Sequence, residues 1–65
     1  MKKLSQRENE IIELLIDGYD YGDIAETLRI SINTIPTYIE RIINKLQASN
    51  KVSAVANYIK LQYEK

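Results

Sequence analysis

Asp20-Tyr21-Gly22-Asp23-Ile24-Ala25-Glu26-Thr27-Leu28-Arg29-Ile30-Ser31-Ile32-Asn33-Thr34-Ile35-Pro36-Thr37-Tyr38-Ile39-Glu40-Arg41-Ile42-Ile43-Asn44-Lys45-Leu46 reads as a short helix, a tight turn and a second amphipathic helix. Asp20 followed three residues later by Asp23 opens the first helix with capping logic, and Ile24, Ala25 and Leu28 give it about two turns of apolar face. Ala25 is small where two crossing helices need close approach. The turn Arg29-Ile30-Ser31 supplies an apolar residue to bury and a hydroxyl to cap, without a glycine. In the second helix Ile35, Ile39, Ile42 and Leu46 recur at i, i+4, i+7 and i+11, a single apolar stripe flanked by Tyr38 and Ile43. This is helix-turn-helix grammar, an arrangement suited to duplex DNA.

Pro36 constrains where the second of these helices begins. With Ser31 as cap, Pro36 is the fifth helical residue, where it removes a backbone bond and costs about 3 kcal/mol. With Thr34 as cap it falls in the first turn and costs little. The expectation is therefore a later start, or a kinked or 3₁₀ first turn.

Upstream, Ser5 and Glu8 form a capping box, and Ile11, Ile12, Leu14 and Leu15 carry an apolar face from about Gln6 to Asp17 before Gly18 stops the helix. Downstream, Gln47 to Lys51 is a polar linker, and a last helix runs from about Val52 to Tyr63. There Ala54, Val55, Tyr58 and Leu61 form one apolar face, while Val52, Ala56, Ile59 and Tyr63 form another. A helix apolar on two sides packs against more than its own core. The whole chain therefore reads as one all-α, four-helix domain with a central helix-turn-helix.

Composition narrows the function. The 65 residues contain neither Cys nor His, which excludes disulfides and leaves transition-metal ligation and a nucleophile–base pair without their usual side chains. The expectation is no enzyme, no metal and no cofactor. The acids Glu8, Glu10, Glu13, Asp17 and Asp23 lack the loop spacing of an oxygen-ligand site and read as a solvated helix face. The longest apolar run is three residues, Leu14-Leu15-Ile16, with no signal-like segment after Met1-Lys2-Lys3, so a cytoplasmic protein without a membrane partner is expected. Net charge is zero, but residues 1–28 carry three bases against seven acids, net −4, and residues 29–65 six against two, net +4. An anionic partner should meet the second half.

From Leu4 to about Leu61 the chain resembles the LuxR-type, or GerE-like, helix-turn-helix domains of bacterial transcription regulators. Leu4-Ser5-x-Arg7-Glu8-x-Glu10-Ile11-Ile12-x-Leu14-Leu15 looks like the opening helix of that family. Asp23-Ile24-Ala25-x-x-Leu28-x-Ile30-Ser31-x-x-Thr34-Ile35 is similar to its scaffold helix and turn, and Ile39, Ile42, Lys45-Leu46 and Ala54-Val55 are similar to the later part of the domain. The resemblance implies a third helix that enters the major groove and a fourth that forms a two-fold dimer, and the expectation is a small stand-alone transcription regulator that binds duplex DNA as a homodimer. Groove-facing positions would be Asn33, Thr34, Pro36, Thr37, Glu40, Arg41 and Asn44, with Lys45 and Lys51 on phosphates and Val52, Ala56, Ile59 and Tyr63 at the dimer interface. Four residues depart from the pattern: Pro36 and Gly22 stand where a Lys or Arg is usual, Glu40 where a polar or basic residue is frequent, and Tyr38 in place of a common His. Tyr38 reads as a structural change, whereas Pro36, Glu40, Gly22 and the zero net charge support an alternative, a degenerate module that gives up DNA and inhibits a LuxR-type regulator through its fourth helix.

Overall fold

The computed structural model describes residues 3–63, which form four α-helices: α1 (Gln6–Ile16), α2 (Tyr21–Leu28), α3 (Ile35–Lys45) and α4 (Lys51–Tyr63). A 3₁₀ turn, Ile32–Thr34, precedes α3. Each helix start has a local cause. Ser5 Oγ accepts from the Glu8 backbone N–H at 3.2 Å, and Glu8 Oε1 accepts from the Ser5 N–H at 2.8 Å, closing the capping box. Asp20 Oδ1 accepts from the Asp23 N–H at 2.8 Å. Asn50 Oδ1 accepts from the Ser53 N–H at 2.9 Å, a cap inside the stretch read from sequence as a plain linker.

Pro36 is accommodated by both devices at once. Ser31 Oγ accepts from the Asn33 N–H at 3.2 Å and caps the 3₁₀ turn, and the Ile35 N–H donates to the Ile32 carbonyl. That carbonyl is the one a Pro36 N–H would have needed in a continuous α-helix, so the missing donor leaves nothing unpaired. Pro36 then occupies the first turn of α3 at little cost.

Three helix ends share one geometry. Tyr19 N–H donates to Leu14, Ile30 to Ala25 and Ala48 to Ile43, each at 3.0 Å, the six-to-one bond of a Schellman motif. The residue before each donor is left-handed: Gly18 at φ 95°, Arg29 at φ 58° and Gln47 at φ 54°. Only the first is glycine, so the turn between α2 and the 3₁₀ segment bears an L-residue strain that packing of Ile30 on the core offsets.

The stripe Ile35, Ile39, Ile42, Leu46 is buried in full, together with Ile11, Ile12, Ile24, Ala25, Ala54 and Tyr58. α3 packs against α1, α2 and α4 and is the axle of the domain. Two expectations are corrected. Glu8 does not lie on a solvated face: it is buried at the contact of α1 with α3. Leu61 is exposed rather than part of the α4 core face, whose buried residues, Ala54 and Tyr58, end one turn earlier. Tyr58 Oη donates to Glu13 Oε2 at 2.9 Å, fixing α4 to α1. Burial and the Glu13 carboxylate push the Tyr58 phenol up to about 12. Among the described residues no helix is long and apolar enough to cross a membrane.

Candidate nucleic-acid interface

At about 100° per residue, positions 37, 40 and 44 lie opposite the buried stripe 35, 39, 42 and 46. Asn33, Pro36, Thr37, Glu40, Arg41 and Asn44 are all exposed on this outer side, and Thr34 is half-buried at its edge. No other described element covers it. The side chains are short or neutral apart from Glu40 and Arg41, which straddle the middle row of Asn33, Thr37 and Asn44. Arg41 does not pair with Glu40: its guanidinium lies 5.8 Å from the centre of the Tyr38 ring. Tyr38 packs sideways against the core and gives Arg41 an aromatic backing while leaving it open to solvent.

Lys45 and Lys51, the two lysines the resemblance places on phosphates, have different surroundings. Lys45 Nζ is 2.8 Å from Glu8 Oε1, with side chains 28% and 3% exposed respectively. Burial alone would raise the Glu8 carboxyl, but the Lys45 ammonium and the Ser5 N–H together hold it below its ordinary value. One carboxylate oxygen thus caps α1 and anchors the last turn of α3. The side-chain amide of Asn57 donates to the Leu46 carbonyl at 3.0 Å, closing the end of α3 from α4. Both ties hold the outer face of α3 at a set angle to the rest of the domain.

Lys51 is exposed at the start of α4, its ammonium 4.9 Å from the centre of the Tyr21 ring. Tyr21 opens α2, next to Gly22, so Lys51 brings a cation to the helix start where the resemblance leads one to expect a Lys or Arg. Spacing could not reveal this, since the two residues are thirty positions apart.

On α4 the second apolar face is uncovered. Val52 is 77% exposed, Ile59 38% and Tyr63 86%, with Ala56 exposed between them. A shallow groove lined by Leu15, Tyr19, Val52 and Val55 continues this surface toward the end of α1. The helix has not rolled to bury both faces.

A family model described as bacterial regulatory proteins of the luxR family matches residues 2–57. The transcriptional regulatory protein DesR of Bacillus subtilis is 38% identical over 52 residues, which make up 80% of this chain and 26% of that protein. The transcriptional regulatory protein DegU of Brevibacillus brevis is 35% identical over 57 residues, 88% of this chain and 24% of that one. The chain thus spans about a quarter of the length of these curated relatives. A solved structure of the transcription factor GerE superposes with a TM-score of 0.88 at 34% identity, over 95% of this chain and 92% of that one. Motif spacing, fold and relatives agree, and the chain belongs to the luxR family of bacterial regulatory proteins, as a helix-turn-helix domain of the type with which that family binds DNA.

Proposed function

We propose that this domain binds duplex DNA as a homodimer and regulates transcription, laying the outer face of α3 in the major groove. The observation that carries the reading is the two-sidedness of α3: one face fills the core, while the other is polar, exposed and covered by nothing among the described residues. A helix in the major groove needs that division, with a rigid inner face and an outer face of groove-sized side chains. The regulatory role named for the DesR and DegU relatives is extended to this chain on that basis. Arg41 and Lys51 serve as phosphate contacts, and Lys51 supplies from α4 the cation that Gly22 lacks. Lys45 acts from inside, through Glu8. Asn33, Thr34, Pro36, Thr37 and Asn44 face base edges and sugars.

Dimerisation is supported by the uncovered Val52, Ala56, Ile59, Tyr63 face, an apolar stripe on the element left free by the core. It would double a sparse set of cations. With Arg41 and Lys51 from each copy, four phosphate contacts give a slope of log affinity against log salt of about −3.6, or a loss on the order of a hundredfold between 50 and 200 mM salt. Fluorescence anisotropy on a mixed-sequence duplex at those salt concentrations tests the reading. Saturable binding with that slope supports it; no binding at tens of micromolar in low salt overturns it and turns attention to the α4 face as a protein-binding surface.

A further inference from the structure

Glu40 is a carboxylate with no structural employment. Among the described residues it makes neither a hydrogen bond through its side chain nor an ion pair. The positions three and four residues away on α3 are Pro36, Thr37, Ile43 and Asn44, so no helix-surface cation partners it. It is the sixth residue of α3, beyond the first turn in which a negative charge is favoured by the helix dipole. The nearest cation in sequence, Arg41, leans the other way over Tyr38, and Lys45 is taken by Glu8. Yet Glu40 is exposed on the outer face, beside the middle row of the helix that the proposed function places in the groove.

A carboxylate between two phosphate walls is repelled, and only a donor on a base edge offsets that cost. In the major groove the donors are the exocyclic amines of cytosine and adenine. Adenine sets its N7 acceptor beside the amine, which suits an amide and repels a carboxylate; cytosine offers N4 without that neighbour. Pro36, one turn before Glu40 on the same edge, donates nothing and so cannot compete for the carboxylate.

We infer that Glu40 is a specificity-determining residue of this domain and accepts a hydrogen bond from the N4 amine of a cytosine in the major groove. The inference rests on the DNA-binding reading above. It implies that base choice here is set by an acceptor, at some expense of non-specific affinity.

The test is selection from a randomised duplex library by the full chain and its Glu40→Ala and Glu40→Gln variants, each first checked for native helicity by circular dichroism. The wild-type protein should favour cytosine at one position of its site about tenfold over other bases. Glu40→Ala should lose that preference alone while holding random duplex at least as tightly, and Glu40→Gln should move it toward adenine. A site without such a cytosine, or a Glu40→Ala variant that keeps the preference, overturns the inference and leaves the DNA-binding reading in place. Failure of the wild-type protein to retain any duplex overturns both.

Discussion

α3 and α4 lie side by side, each with one face in the core, and they turn opposite surfaces to solvent. The free side of α3 and of the 3₁₀ turn before it is polar and almost neutral: Asn33, Thr37, Glu40, Arg41 and Asn44. The free side of α4 is apolar: Val52, Ala56, Ile59 and Tyr63. A polar face costs nothing in water and can wait for a hydrogen-bonding partner, whereas an apolar stripe gains from being covered. In the function proposed above, the difference separates two tasks: recognition on α3, association on α4.

The comparison can be broken hardest at the inner face of α3. Ile42, fully buried at the centre of its stripe, anchors α3 to the core. Ile42→Ala should cost about 2–4 kcal/mol, a large part of the roughly 3–10 kcal/mol that a domain of this length holds. Urea denaturation should show the variant at or past the edge of stability, and an unchanged midpoint would mean that α3 is not the axle of the fold.

Next in size is the tie at the end of α3. Lys45→Ala leaves Glu8 buried without its cation, for an expected loss of about 1–2 kcal/mol, reduced from the fully buried case because Lys45 is partly solvated. If Lys45 acts through Glu8, the salt slope of DNA binding stays unchanged, whereas Lys51→Ala lowers it. The pH dependence has a defined sign. The Glu8 carboxyl is held below its ordinary 4.5 in the folded state, so the unfolded chain binds more protons in that range. The stability contributed by the pair is present above about pH 4.5 and is lost as pH falls through the folded value. Thermal melts from pH 7 to pH 3 should show the wild type losing more than Glu8→Gln.

The smallest expected effect on the fold, and the one that sharpens the contrast most, comes from Ile59→Asp on the free side of α4. The monomer should stay within about 1 kcal/mol of wild type, since Ile59, 38% exposed, lies outside the buried core cluster. Sedimentation should show its dimer weakened at least tenfold. An unchanged dimer mass would sink the assignment of that face.

Much of the fold is legible in short stretches of chain. Ser5 with Glu8, Asp20 with Asp23 and the Ile35, Ile39, Ile42, Leu46 stripe are local signals, and each element they mark is present. The cap at Asn50 has such a signal too, a side-chain acceptor ahead of an apolar run, hidden by its place in a polar linker. Arg29 and Gln47 give no sign of their left-handed backbone, because a helix end stabilised by tertiary packing tolerates a residue other than glycine.

The candidate site divides along the same line. The residues exposed on the outer side of α3 follow from helical period alone, since whatever stands opposite a buried stripe faces solvent. The roles of the lysines do not. Lys45 is joined to Glu8 across 37 positions, and Lys51 to Tyr21 across 30. Capping, period and the tolerance for Pro36 are written within a few residues of chain and were settled by sequence. Which charges are spent inside the domain and which remain for a partner depends on side chains brought together by packing, and only the tertiary structure decides that.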